Sequence, residues 1–180
     1  MKKLKEKLRR LKNINYIIKE VSLYPNINNW LFKLLTDKYP KSKILTEITA
    51  NKLLSIWLDE KGLDKYFDDY ITYEIRVDIT GVVITKNKAN LVFVECKNSK
   101  ICLKDVSQIL GYSRVAFPEI SMITSPDFIS KGLSKLLEEF DRYDVIRYSD
   151  NPKHVLRIFK WDIKRNSPDY NSFLPRGINI

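Results

Sequence analysis

The residues best suited to chemistry in this 180-residue sequence are an acid and a base at the end of an apolar stretch. The run LVFVECK ends with Glu95 and Lys97, and residues two apart on a strand project from the same face. Charged side chains are rarely buried without a partner or a function. An acid and a base at the end of an otherwise apolar strand therefore indicate a candidate site.

A second carboxylate, Asp78, stands near the start of the preceding apolar stretch. The sequence KNKAN separates the two stretches and predicts a β-hairpin of residues 77–85 with residues 91–97. Antiparallel pairing brings the start of one strand beside the end of the next, so Asp78 is expected near Glu95. Two adjacent carboxylates repel each other without a cation, and Mg²⁺ or Mn²⁺ prefers such oxygen ligands.

Lys97 shares the expected face of Glu95 and completes a set that could hydrolyse a phosphodiester. An ammonium can orient an attacking water or offset negative charge in a phosphoryl transition state. Taken singly, each residue has a structural alternative: Asp78 could cap a bend, and Glu95 with Lys97 could form a solvated ion pair of little energetic value. As a convergent set, a carboxylate pair and a lysine favour catalysis.

Asp78, followed by Glu95-Cys96-Lys97 on the next strand, resembles the motif of the PD-(D/E)XK nuclease superfamily. The resemblance implies that Asp78 and Glu95 bind a divalent metal, that Cys96 lends its backbone carbonyl, and that Lys97 assists the attacking water. Val77 stands where the pattern has Pro. The resemblance also implies an α/β, restriction-endonuclease-like core: a central mixed β-sheet flanked by helices in the order αβββαβ, here with extra N-terminal helices.

The helix predicted after Lys97 carries Gln108 and Tyr112, four residues apart and therefore on one face. This spacing resembles the Gln-x-x-x-Tyr element of one branch of the superfamily, in which the pair lines the active cleft. The resemblance assigns Gln108 and Tyr112 to nucleic-acid binding, and Lys100 is assigned with them. The alternative is a surface Gln and a half-buried Tyr on an amphipathic helix.

A third acidic metal ligand, which many members of the superfamily have, is assigned to Glu47. The apolar residues of segment 43–61 predict a helix, and Glu47 is the clearest acidic candidate at its start. Glu74 and Arg76 stand four and two residues before Asp78, so on a strand they would share its face. They are competing candidates for this third position.

The chain is strongly basic, with 32 Lys and Arg against 22 Asp and Glu and a formal net charge of +10. This balance favours polyanionic partners, nucleic acid first and an anionic membrane surface second. Eight basic residues precede residue 21 on a predicted amphipathic helix. Arg9 and Arg10 are therefore assigned to DNA binding, and segment 1–23 to affinity rather than chemistry. The alternative is a helix that docks on the core or on a second copy through its apolar stripe: Leu4, Leu8, Leu11, Ile14, Ile18 and Val21.

Several other site classes lack the residues they need. His154 is the only histidine, and Cys96 and Cys102 stand in no Cys-x-x-Cys frame, which argues against zinc sites and Ser-His-Asp triads. No apolar run approaches the ~18 residues of a membrane span, and the N-terminus has no apolar signal core. The sequence therefore predicts a cytoplasmic protein without a membrane partner.

Three regions are expected along the chain: basic amphipathic helices in residues 1–40, a nuclease-like core in 41–161, and an extended tail in 162–180. Within them, helices are predicted at 28–38, after Lys97 and at 126–140, and strands at EISMIT, DVIRY and HVLRIFKW. The predicted function is Mg²⁺- or Mn²⁺-dependent hydrolysis of DNA in repair, recombination or restriction. The alternatives are a catalytically inactive nucleic-acid-binding module with the same fold and a protein-interaction domain; a homodimer is left open.

Overall fold

The fold is built on a mixed β-sheet of six strands, seen in a computed structural model that describes residues 19–177. The strands lie in the sheet in their order along the chain. β1, β2 and β3 pair antiparallel, β3, β4 and β5 run parallel, and β6 pairs antiparallel with β5. They are β1 (Lys43–Ile48), β2 (Ile79–Ile84), β3 (Ala89–Cys96), β4 (Ile120–Ser125), β5 (Arg157–Asp162) and β6 (Ser167–Pro168).

Four α-helices within the described residues cover the two faces of this sheet. They are α1 (Tyr24–Lys38), α2 (Leu54–Glu60), α3 (Leu103–Ala116) and α4 (Lys131–Ser134), the last continued by a π-helical turn, Lys135–Glu139. The buried side chains of α1 belong to one apolar cluster, and those of α2, α3 and α4 belong to another. The chain is therefore a mixed α/β protein with helices on both sides of a central sheet.

Helix α1 packs closely on the sheet because its apolar residues recur every four positions. Ile27, Leu31 and Leu35 are fully buried, and residues four apart lie on one face of a helix. Gly81 of β2 faces these side chains and leaves room for the helix, because a Cβ atom at this position would lie 3.0 Å from Leu35 Cδ1. The absence of a side chain at Gly81 thus lets α1 approach the strand backbone.

Strand β3 lies in the interior of the sheet and is connected to β4 by the crossover helix α3. Seven of its eight residues are buried, as expected for a strand covered on both faces. Asp105 caps the start of α3 by accepting a hydrogen bond at 2.8 Å from the backbone N–H of Cys102. Because β3, β4 and β5 are parallel, their carboxyl ends share one edge of the sheet, and helix α3 begins near that edge.

The predicted hairpin is confirmed, with β2 paired to β3, but the helix predicted for segment 43–61 is wrong. Its first part forms strand β1 and only Leu54–Glu60 is helical. The whole of β1 pairs with β2, so sheet hydrogen bonds override the apolar pattern that favoured a helix. Helix α2 ends shortly before Gly62, whose φ of 62° is a left-handed conformation that favours glycine after a helix.

Several other predicted bounds differ from the structure. Helix α1 begins at Tyr24 rather than near Asn28, because Pro25 is compatible with the first turn of a helix. The helix predicted for 126–140 is confined to residues 131–139, and the strand predicted at DVIRY is a 3₁₀ turn, Tyr143–Ile146. The strand predictions at EISMIT and HVLRIFKW correspond to β4 and β5.

Both ends of the described chain pack on the sheet. Leu174, in the region predicted as an extended tail, is fully buried and exchanges backbone hydrogen bonds with Ile158 of β5. Helix α1, predicted within a separate N-terminal region, supplies one of the two apolar layers. Of the amphipathic helix expected in segment 1–23, residues 1–18 lie outside the described residues, Glu20–Ser22 form a 3₁₀ turn, and Val21 of its apolar stripe is exposed. Within residues 19–177, no helix has the length and apolar character needed to cross a membrane.

The packing of α1 predicts a large difference between two neighbouring truncations. Leu31 is fully buried, whereas Phe32 is 46% exposed. Leu31→Ala should lower the free energy of unfolding by about 2–5 kcal/mol because it leaves a cavity against the sheet. Phe32→Ala is the matched control and should change it by about 0.5 kcal/mol or less. Chemical denaturation measures both, and equal effects would contradict the docking of α1.

Candidate active site

The candidate site lies where β2 begins and β3 ends. Ile79 pairs with Val94 in the antiparallel register, so Asp78, one residue before Ile79, falls opposite Glu95, one residue after Val94. Both carboxylates are buried, with exposed fractions of 9% for Asp78 and 3% for Glu95. The register therefore brings two acidic side chains together in a poorly solvated environment.

Asp78 is held by hydrogen bonds to both of its carboxylate oxygens. Oδ1 accepts a hydrogen bond from the hydroxyl of Tyr24 at 2.7 Å, and Oδ2 accepts one from the backbone N–H of Cys96 at 2.8 Å. Burial raises the pKa of Asp78, although these hydrogen bonds and the charge of Lys97 oppose the rise. The two donors come from helix α1 and strand β3, so the carboxylate is fixed from two sides.

Glu95 has one satisfied oxygen and one unsatisfied oxygen. Oε1 accepts hydrogen bonds from Lys97 Nζ at 2.8 Å and from Gln108 Nε2 at 3.2 Å. Oε2 is buried and has no hydrogen-bond partner among residues 19–177. Burial and the adjacent charge of Asp78 raise the pKa of Glu95 to about 7, against the opposing effect of Lys97. An unsatisfied buried carboxylate oxygen is costly, and a proton or a cation would relieve that cost.

Lys97 and Gln108 approach Glu95 from two different elements. The backbone N–H of Lys97 donates to Thr124 O of β4 at 2.8 Å, which fixes the chain directly after β3. Burial would lower the pKa of Lys97, but the ion pair with Glu95 outweighs it and the pKa is raised. The ammonium therefore stays charged. Gln108, on α3, lies 3.2 Å from Glu95 and also 3.2 Å from the hydroxyl of Tyr112.

Cys96 contributes only its backbone to this side of the sheet. Its side chain is fully buried in the apolar cluster that contains Val94 and Met122, which agrees with the prediction that it points to the opposite face. Burial raises the pKa of the Cys96 thiol well above its ordinary value. A thiolate ligand at this position is therefore disfavoured.

Glu47 is not brought to the site. It lies on β1 opposite Thr80 and forms an ion pair with Lys61, with 2.6 Å between Oε2 and Nζ. The largest electrostatic effects on the pKa values of Asp78 and Glu95 come from other residues. Its assignment as a third acidic ligand rested on a helix that the structure replaces with a strand. The competing candidates Glu74 and Arg76 are exposed in the irregular segment before β2.

Glu20 is the acidic neighbour that sequence reasoning missed. Its carboxylate lies near Lys97 and Asp78, and the hydroxyl of Tyr24 is 3.4 Å from Oε1. It also accepts a hydrogen bond from the backbone N–H of Asn98, while burial raises its pKa. Glu20 falls in segment 1–23, which the sequence assigned to affinity rather than chemistry, so the last residues of this segment lie close to Asp78 and Lys97. The spacing of four between Glu20 and Tyr24 was visible, but nothing local showed where α1 docks.

The remaining assigned residues lie at or beyond the margin of this group. Lys100 is exposed in the connection from β3 to α3, whereas Arg9 and Arg10 lie outside the described residues. Across residues 19–177, no group of three or more His, Cys, Asp or Glu side chains is arranged to hold a metal ion. The acidic centre is thus a pair, Asp78 and Glu95, with Glu20 nearby.

Comparisons with protein-family models, with curated proteins and with solved structures find no significant match for this chain.

The raised pKa of Glu95 predicts that the metal-free protein loses stability as the pH rises. Its pKa is about 7 in the folded protein against an ordinary value of 4.5, so the folded state binds more protons between these values. The resulting stability is fully present below about pH 4.5 and is lost as the pH rises through 7. In EDTA, the free energy of unfolding should fall between pH 5 and pH 8, by up to about 3 kcal/mol from this group.

Glu95→Gln removes the titrating group and should flatten this pH dependence while making the protein more stable than wild type at pH 8. Glu139→Gln, at an exposed glutamate on another part of the surface, is the control and should follow wild type. Denaturant titrations at several pH values measure the effect. Parallel curves for wild type and Glu95→Gln would contradict the burial of the Glu95 charge.

Proposed function

We propose that this protein is a nuclease that hydrolyses DNA phosphodiester bonds with the help of Mg²⁺ or Mn²⁺. The observation that carries the proposal is the convergence of Asp78, Glu95 and Lys97 at one end of the β2–β3 pair. Two buried carboxylates and one ammonium meet there, and one buried Glu95 oxygen has no hydrogen-bond partner within the described range 19–177. A bound cation would stabilise this oxygen, and Lys97 supplies a charged hydrogen-bond donor beside it.

The order of elements supports a restriction-endonuclease-like core. The sequence α1–β1–β2–β3–α3–β4 follows the αβββαβ order that the PD-(D/E)XK resemblance implies, with the short helix α2 inserted between β1 and β2. Asp78 immediately precedes β2, and Glu95 and Cys96 end β3. The motif residues therefore fall on the elements to which the resemblance assigns them.

The donor atoms near the site fit a hard divalent cation. Asp78 and Glu95 would hold it through their carboxylates, the backbone carbonyl of Cys96 is the third donor that the resemblance implies, and Glu20 replaces Glu47 as the nearby extra carboxylate. These are all oxygen ligands, which suit Mg²⁺ or Mn²⁺ better than zinc. When bound, such a cation neutralises charge on the phosphoryl group and activates water for attack.

The chain's own residues have separate roles in the proposed reaction. Lys97 stays charged and half-buried beside Glu95, so it can orient the attacking water and offset negative charge on the phosphoryl oxygens. Gln108 holds Glu95 through Oε1, which leaves Oε2 for the cation. Tyr112 lies next to Gln108 and, with Lys100, would contact the nucleic acid. The net charge of +10 favours a polyanionic substrate.

A catalytically inactive DNA-binding module is the second candidate. The observation that favours it is that no group of three or more metal-ligating side chains occurs among residues 19–177. Incubation of plasmid and linear DNA with the full chain in Mg²⁺, in Mn²⁺ and in EDTA separates the two. Cleavage that EDTA abolishes supports the nuclease, binding without cleavage supports the module, and the absence of both contradicts each of them.

The proposal predicts that loss of either carboxylate charge removes cleavage. Glu95→Gln and Asp78→Asn keep the side-chain volume but remove a metal-binding charge, and each should slow cleavage at least about 100-fold. Glu47→Gln is the matched control, because Glu47 is paired with Lys61 away from the site, and should retain the wild-type rate. A Glu95→Gln protein that cuts DNA at the wild-type rate in Mg²⁺ would contradict the assignment of Glu95 as a metal ligand.

Lys97→Ala tests a different part of the mechanism. It should slow turnover by about 100-fold while changing the Mg²⁺ concentration needed for half-maximal cleavage much less, because Lys97 carries no metal-binding atom. Single-turnover cleavage over a series of Mg²⁺ concentrations separates the two quantities. A variant whose rate is fully restored by excess Mg²⁺ would contradict a role for Lys97 in the chemical step.

A further inference from the structure

Tyr24 is a buried residue of α1 that no part of the nuclease motif includes. Only 5% of its surface is exposed, and it occupies the first turn of the helix. Its hydroxyl lies 2.7 Å from Asp78 Oδ1 and 3.4 Å from Glu20 Oε1. A phenol has one proton to donate, and the shorter distance directs that proton to Asp78.

We infer that Tyr24 is a positioning residue that orients Asp78 for metal binding. The inference rests on the proposed function and extends it to a residue outside the motif. Metal-ligating side chains depend on neighbouring hydrogen bonds that fix their orientation. Tyr24 provides the side-chain hydrogen bond to Asp78, and the backbone N–H of Cys96 provides the other contact.

The two hydrogen bonds orient the Asp78 carboxylate and still leave its oxygens able to bind a cation. Each oxygen of Asp78 receives one hydrogen bond, and a carboxylate oxygen has two lone-pair positions. With respect to residues 19–177, both oxygens therefore keep a free lone pair while rotation of the carboxylate is restricted. Without the Tyr24 hydroxyl, Asp78 would lose its hydrogen bond at Oδ1 and would have to be ordered when the cation binds, at a cost in affinity.

The position of Tyr24 is itself fixed by the packing of α1. Three and seven residues further along the helix, Ile27 and Leu31 are fully buried against the sheet. The Tyr24 ring belongs to the same buried cluster, which also contains residues of β2 and β3. The hydroxyl is thus presented at a constant position relative to Asp78, as pre-organisation of a metal ligand requires.

The chain contains a matched control for this interaction. Tyr73 is also buried, with 3% of its surface exposed, and its hydroxyl donates to Asp69 Oδ1 at 2.6 Å. The same donor and acceptor types meet there at almost the same distance, in a segment without a proposed metal ligand. Tyr24→Phe and Tyr73→Phe therefore each remove one phenol–carboxylate hydrogen bond made by a buried tyrosine. Asp69 is exposed whereas Asp78 is buried, and only the first change touches Asp78.

The test is titration of Mn²⁺ into the full-length protein without DNA, followed by calorimetry at a temperature where melting curves show every variant folded. Tyr24→Phe should weaken Mn²⁺ binding by about 10–100-fold relative to wild type, and Tyr73→Phe should bind as wild type does. In the Asp78→Asn background, Tyr24→Phe should cause no further loss, because its effect passes through Asp78.

The outcomes separate this inference from the proposed function. Equal Mn²⁺ affinity for wild type and Tyr24→Phe overturns the positioning role and leaves the nuclease proposal standing. Equal loss in Tyr24→Phe and Tyr73→Phe also overturns it, since the effect would then be a general one on the fold. A wild-type protein that binds no Mn²⁺ overturns both the metal-dependent function and the role of Tyr24.

Discussion

The antiparallel register between β2 and β3 is the constraint on which the candidate site depends. It places Asp78 opposite Glu95 by pairing Ile79 with Val94. Strand side chains alternate with a period of two, so a shift of one residue would move every side chain of one strand to the opposite face. Alternate residues of β3 belong to two different buried clusters, so such a shift would exchange the side chains of two closely packed layers. The hydrophobic packing of the sheet thus also fixes the distance between the two carboxylates.

Helix α1 packs on this core and also reaches the candidate site. Its apolar face covers the sheet through the space left by Gly81, and its first turn carries Tyr24 to Asp78. Glu20, just before the helix, lies close to Lys97 as a result. One docking interaction therefore supplies an apolar layer, a hydrogen-bond donor and an acidic neighbour. A segment that sequence analysis treated as a source of DNA affinity is, in its last residues, part of the site's surroundings.

The sequence allowed prediction of those parts of the site that depend on short-range pairing. Asp78 and Glu95 belong to adjacent strands of one hairpin, and Gln108 follows on the next helix, so local patterns were sufficient to bring them together. The surroundings of Glu47 and Glu20 depend on contacts between distant segments, which the sequence did not reveal. The apolar residues of segment 43–61 fit a helix, but pairing with β2 made Lys43–Ile48 a strand. The spacing of apolar residues within a segment does not show whether pairing with a distant strand will override a helix.

The ion pair between Lys97 and Glu95 reduces the cost of the buried charges but does not remove it. One ammonium lies beside two carboxylates, and it donates to Oε1 of Glu95 only. Hydrophobic residues at these positions would avoid that desolvation cost, so the arrangement opposes the stability of the metal-free fold. Residues that reduce stability without improving packing are typical of functional sites. The energetic cost of these buried charges is therefore consistent with the proposal that the site binds a cation.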